Sequence, residues 1–225
     1  METRHKENDL VQMKDIAGNL PIFKSIKSWM QSCRAKKRIA RWEKSGRPLP
    51  PPHDIKQRAI KKYAERHDLK VLVETGTYYG KMVQAMLPFF KRIYSIELDI
   101  ALYEKAREKF SDQGKVDIIC GDSGIEIGKL LAHLDQPTLF WLDGHYSMGV
   151  TAKANKSTPI LEELTHIFEA KDNGHVVLID DARFFGVDPN YPGVDEIKEL
   201  VMSKRDNLCL SVEDDIIKII PQKLT

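Results

Sequence analysis

Two short segments of the chain end in clustered acids. LDGHYS (Leu142–Ser147) and IDDAR (Ile179–Arg183) close the apolar runs TLFWLD from Thr138 and HVVLID from His175. If these runs are neighbouring parallel strands, Asp143, Asp180 and Asp181 meet in one small volume, where three carboxylates repel unless a cation or hydrogen-bond donors compensate. A hard divalent ion such as Mg²⁺ is the simplest compensation, because oxygen-only ligation suits it. Cys33, Cys120 and Cys209 form no CxxC pair and so offer no competing thiolate site. The alternative is that Asp180 and Asp181 cap the segment that follows them.

A second constellation lies upstream. VLVETGTYYG (Val71–Gly80) places Glu74 at the end of an apolar run and Gly76, Thr77 and Gly80 just before a helical pattern. Glycine there lets a ligand approach the backbone closely. RIYSIE ends at Glu97, a carboxylate able to accept both hydroxyls of a ribose, and VDIICGDS ends at Asp122 and Ser123. Each acid could instead be a helix cap.

These segments need a common scaffold. From Asp54, a plausible cap for a helix through about Arg66, short apolar runs alternate with helical stretches. That alternation predicts a mainly parallel sheet covered on both faces, with ligands at the carboxyl ends of the strands. NLCLSV (Asn207–Val212) and DIIKII (Asp215–Ile220) are separated only by Glu213 and Asp214, which demands an antiparallel hairpin.

Five parallel strands followed by such a hairpin resemble the seven-stranded α/β sheet of class I methyltransferases, which use S-adenosylmethionine (SAM). The spacing Glu74-x-Gly76-x-x-x-Gly80 resembles the first motif of that class; it is neither GxGxxG nor the phosphate loop. The resemblance implies a SAM site at Glu74, Gly76, Thr77, Gly80, Glu97, Asp122 and Ser123, with Glu97 on the ribose and Asp122 and Ser123 near the adenine. Asp143, Asp180 and Asp181 together resemble the metal site of magnesium-dependent sugar O-methyltransferases, and LDGHYS with IDDAR resembles methyltransferase-fold proteins associated with polysaccharide modification. The base in the former lies two residues beyond the first acid, which here is His145 where the relatives have Asp; imidazole is a competent proton acceptor near neutral pH. The implied activity is O-methylation of a sugar or other small polyhydroxylated acceptor, with Asp143 and His145 catalytic. Arg183, Tyr146 and Lys153 are candidate acceptor contacts. DPNYP (Asp188–Pro192) lacks the consecutive prolines of a base-amine methylation motif, so nucleic acid is not the expected acceptor.

Composition agrees with one α/β domain plus an appendage: 225 residues, 42% hydrophobic and 30% charged, with 35 Lys+Arg against 33 Asp+Glu. The charge is unevenly spread. Residues 1–70 carry 18 basic and 8 acidic side chains, and the remainder 17 and 25. Within residues 1–53, the expected N-terminal extension, Pro21–Lys44 reads as a basic amphipathic helix, and SGRPLPPPH (Ser45–His53) as a stiff linker. The helix could dock on the main domain, residues 54–225, or on a second subunit, making a homo-oligomer; its basic face also suits a peripheral membrane surface or an acidic partner. The alternative from another functional class is a catalytically silent SAM-fold protein tethered by that helix. No stretch approaches the ~18 apolar residues of a membrane span, Met1–Leu20 lacks a secretory apolar core, and the unpaired cysteines suit a reducing compartment, so a cytoplasmic protein is expected.

Overall fold

The computed structural model describes residues 21–143 and 158–222, with the backbone alone for residues 21–28 and 31. His145, Tyr146, Ser147 and Lys153 lie outside the described residues. The chain divides into two compact units, residues 1–48 and 49–225.

In the first unit, helix α1 spans Pro21–Lys44. Its last turn leaves carbonyls without an intrahelical donor. The Ser45 hydroxyl donates to the Trp42 carbonyl at 2.9 Å, and the Ser45 amide to that of Arg41 at 3.0 Å. The Trp42 indole Nε1 donates to the Pro48 carbonyl at 2.8 Å. Trp29 is 68% exposed, on the same helix as exposed Arg34, Lys36, Lys37 and Arg38. No described helix is long and apolar enough to cross a membrane.

In the second unit, helix α2 (His53–Arg66) precedes strand β1 (Val71–Thr75). There follow α3 (Lys81–Met86), β2 (Arg92–Glu97), α4 (Ile100–Lys109), β3 (Val116–Cys120), α5 (Ser123–Leu131), β4 (Thr138–Leu142), α6 (Ile160–Glu169) and β5 (Val176–Ile179). A 3-10 turn (Ala182–Phe184), α7 (Val194–Lys204), β6 (Leu208–Glu213) and β7 (Ile216–Pro221) complete it. Asp54 does not cap α2 as its sequence position suggested. The helix starts two residues earlier, with Pro52 at the N-cap, and Asp54 falls in the first turn, where a negative charge still suits the helix dipole.

The strands form one sheet in the order β3-β2-β1-β4-β5-β7-β6, with β7 antiparallel to both of its neighbours and β1 to β5 parallel. Every residue of β1, β4 and β5 is buried, as expected of a sheet covered on both faces. Alternation sends Val71 and Val73 into one core with Ile127 of α5, Leu164 of α6 and Val201 of α7, and Leu72 into the other with Ile60 of α2 and Met86 of α3. The chain order reverses between β1 and β4. The loops after these strands thus diverge there and leave a crevice.

The hairpin turn lies one residue later than its sequence suggested, at Asp214 and Asp215, both in the left-handed region with φ of 54° and 64°. Two successive residues of that kind match the primed turn that a two-residue hairpin requires.

Gly80, ahead of α3, has φ of 63°, and a Cβ built there would lie 2.5 Å from Cε2 of the buried Phe110 ring. Gly80→Ala should therefore destabilise the fold by about 1–3 kcal/mol. Urea unfolding followed by circular dichroism measures this; an unchanged midpoint would show that the loop and ring relax freely.

Candidate active site

The loop after β1 is held from below and from the side. Gly76 and Thr77 both donate their amides to the Ile96 carbonyl, at 3.0 and 3.3 Å, which turns the loop towards β2. The Thr77 hydroxyl lies 2.6 Å from that of Ser95, and Ser95 donates to Glu74 Oε1 at 3.0 Å. Glu74 is itself only 1% exposed, so it supports the loop from inside the fold. Burial pushes its carboxyl up to about 8, against the opposing Ser95 hydrogen bond.

Glu97 at the end of β2 accepts the Tyr78 amide at 2.7 Å on Oε2 and the Asp99 amide at 3.0 Å on Oε1. It therefore already ties the β1 loop to the β2 loop, while a carboxylate retains lone pairs for ribose hydroxyls. Asp122 caps α5 by accepting the Gly124 amide at 2.9 Å, so the capping alternative holds for this residue. Of the aromatic side chains flanking the strand ends, Trp141 is core, whereas Tyr78 and Tyr79 stand exposed beside the loop with ring centroids 4.1 Å apart.

Across the crevice, Asp143, Asp180 and Asp181 do converge: one carboxylate oxygen from each lies within 4.8 Å of the others. The backbone sets this up. The Asp143 amide donates to Thr75 Oγ1 at 3.2 Å and the Asp180 amide to the Leu142 carbonyl at 2.9 Å, extending the sheet register just past the strands. Asp181 then adopts a left-handed conformation, φ 55°, a region that aspartate tolerates better than most residues. Asp181 starts the 3-10 turn without a side-chain capping bond, so its carboxylate serves the cluster instead.

Two cations answer these acids. Lys56 from α2 pairs with Asp180 Oδ2 and lies 3.0 Å from Asp181 Oδ1. Arg183 Nη1 is 2.9 Å from the same Asp181 oxygen and pairs with Asp215 in the hairpin turn, whose Oδ1 also takes the Arg183 amide at 2.8 Å. Arg183, a candidate acceptor contact from sequence, is thus engaged by two acids. Burial pushes Asp143 up to about 7 and Asp180 up to about 8, with Lys56 opposing both shifts. Asp181 is buried too, yet Lys56 and Arg183 together hold its carboxyl below the usual range. Lys56 is partly desolvated, and Asp180 and Asp181 outweigh that and raise its pKa.

The cluster lines a small, half-open cleft together with Thr158, Ile160, Phe185 and Tyr191. Three oxygen donors so close together fit a hard divalent cation chemically. His145, the expected base two residues beyond Asp143, lies outside the described residues.

Two residues escaped the sequence reading. Lys56 had no local signal, because its partners lie more than 120 positions away. Glu163 had one: it occupies an apolar-face position of α6, one residue before Leu164 and three after Ile160. It is fully buried beside the hydroxyls of Ser123 and Thr75, and among the described residues neither of its oxygens has a partner at hydrogen-bond geometry. Burial pushes its carboxyl up to about 7. The folded protein therefore keeps a proton at Glu163 that the unfolded chain loses, and stability should fall as pH rises from about 4.5 to about 7. In metal-free protein, Glu163→Gln should flatten this decline by on the order of 3 kcal/mol at most. Urea midpoints at pH 5 and pH 8 test it, and an identical decline in the variant would exclude Glu163 as its source.

No family model matches the chain. Among solved structures, an O-methyltransferase from Bacillus cereus in complex with SAH superposes with a TM-score of 0.57 at 11% identity, covering 84% of this chain and 90% of that one. The SAH-bound methyltransferase PaMTH1 of Podospora anserina gives 0.54 at 16% identity, over 91% and 98%. The O-methyltransferase TomG of Streptomyces achromogenes, in complex with SAM and involved in tomaymycin synthesis, gives 0.53 at 17%, over 84% and 89%. A curated relative, the probable ribosomal RNA small subunit methyltransferase A of Methanococcoides burtonii, is 37% identical over 59 residues. That stretch is 26% of this chain and 22% of that protein, so the chain spans only about a fifth of this relative's length. The sheet order, the C-terminal hairpin and the three superpositions give this chain the class I SAM-dependent methyltransferase fold.

Proposed function

We propose that residues 54–225 form a SAM-dependent O-methyltransferase domain whose acceptor is a hydroxyl of a sugar or other small polyhydroxylated molecule, assisted by a divalent cation such as Mg²⁺. The observation that carries this reading is the convergence of Asp143, Asp180 and Asp181 within 4.8 Å, beside the β1 loop at the same edge of the sheet. SAM contributes a methyl group on an electrophilic sulfonium. A cation held by Asp143, Asp180 and Asp181 would lower the pKa of an acceptor hydroxyl and favour vicinal oxygens.

The chain's own residues do the rest. Glu97 accepts ribose hydroxyls and, through the Tyr78 amide, holds the Gly76–Gly80 loop against the cofactor. Asp122 and Ser123 would meet the adenine, and Phe185 and Tyr191 would border the acceptor beside the acid cluster. The acceptor oxygen bonds to the methyl carbon as the carbon–sulfur bond breaks, the electron pair stays on sulfur, and His145 takes the hydroxyl proton. The exposed Trp29 and the basic residues of α1 support a further role for residues 21–44 at an anionic membrane surface, checked by co-sedimentation with anionic vesicles.

Calorimetry with SAM should show binding that Glu97→Ala weakens by about 2 kcal/mol, since charge-assisted hydrogen bonds are lost. No SAM affinity in the intact protein would remove the cofactor reading. Methyl transfer from labelled SAM to a panel of sugars and catechols tests the chemistry. Asp181→Asn should lower Mg²⁺-stimulated transfer by at least about tenfold with SAM affinity little changed, because a hard cation loses an ionised ligand. Transfer that survives exhaustive chelation would eliminate the metal role. SAM binding without transfer to any acceptor would favour the silent binding protein.

A further inference from the structure

Lys56 comes from the helix that precedes the sheet, outside every motif of the chain. Its place is set by the fold. Ile55, Ile60, Tyr63 and Ala64 bury the apolar side of α2, and the Lys56 side chain, 15% exposed, extends from this anchored helix to the acid cluster. Its partners there are the two acids after β5, with Asp143 close enough to raise its pKa further.

Arg183 is held differently. It is tied to Asp215 in the hairpin turn as well as to Asp181, so it is anchored outside the three-carboxylate group. The acid partners of Lys56 among the described residues all belong to that group. The Asp180 side chain is 1% exposed, and a carboxylate so buried is costly without a cation against it. Lys56 already engages Asp180 Oδ2 and Asp181 Oδ1, so a divalent ion drawing on the same two carboxylates would bring two like charges into close repulsion.

Resting on the metal reading above, we propose that Lys56 and a divalent cation are alternative occupants of the Asp143–Asp180–Asp181 site. The ammonium holds the acids together while the metal is away and withdraws on its flexible stem when the metal enters. Lys56 is then a positioning residue that keeps the empty site assembled and lowers its apparent metal affinity by competition.

The test uses the full-length chain, stripped by chelation, with Mn²⁺ as the probe. Lys56→Met should bind Mn²⁺ at least about tenfold more tightly than the wild type by calorimetry, while Lys56→Arg, which keeps the charge, should bind no more tightly. In the wild type, acetylation of Lys56 by acetic anhydride, read by mass spectrometry, should be slow without metal and several-fold faster with saturating Mn²⁺. A lysine with a merely structural role would show neither effect. Mn²⁺ binding that leaves Lys56 acetylation unchanged, or a Lys56→Met variant that binds no more tightly than the wild type, overturns the competition and leaves the metal site standing. Absence of Mn²⁺ binding in the wild type and in every folded Lys56 variant removes the metal site and the competition together. If Lys56→Met does not fold, the wild-type acetylation result decides.

Discussion

Negative charge gathered at the ends of buried parallel strands is the constraint around which this domain is organised. Asp143, Asp180, Asp181 and Asp215 lie around one sheet edge, and at low dielectric such a group survives only through proton uptake, hydrogen bonding or cations. The chain combines these devices. Burial favours the protonated forms of Asp143 and Asp180, whereas Lys56 and Arg183 keep Asp181 ionised. Each cation arrives from a separate part of the fold, one from the helix before β1 and one from the turn after β5. The acid site is thereby connected to α2 and, through Asp215, to the C-terminal hairpin.

The same constraint on charge governs the loop after β1. Glu74 and Thr75 are successive residues of β1, so their side chains lie on opposite faces of the sheet. Glu74 supports the glycine loop through Ser95 on one face. On the other, Thr75 accepts the Asp143 amide and neighbours buried Glu163. The end of β1 therefore joins the two halves of the site: movement of Thr75 would disturb the first acid of the cluster as well as the loop. A polar core of this kind costs stability, and its neutral acids make that cost dependent on pH. Such arrangements concentrate where chemistry requires charge in a dry place.

Much of this architecture could be read from the residue order. Strand runs closing in Glu74, Glu97, Asp122, Asp143 and Asp180 announced a parallel sheet with its polar groups at one edge, because a strand buried on both faces must be apolar until it ends. The two-residue link, read as Glu213 and Asp214, announced the antiparallel hairpin, since nothing longer than a tight turn fits there, although the turn falls one residue later. Local rules were weaker at single positions. Asp54 looked like a cap, but Pro52 takes the N-cap and starts α2 two residues earlier. Asp122, expected at the cofactor, is seen to cap α5.

The partners of the acids were decided by tertiary structure alone. Sequence placed three aspartates together by pairing two strands, an inference that needs only the right-handed, short-connection logic of parallel sheets. It could not place Lys56 against Asp180 across 124 residues, nor Arg183 between Asp181 and Asp215, because helix packing directions are set by side-chain shape on distant elements. It likewise passed over Glu163, which only the packing of α6 against α5 and β1 shows as a fully buried acid. Strand ends and turns are local in sequence and so are legible there; charge compensation depends on which surfaces meet, and only the folded chain brings those surfaces together.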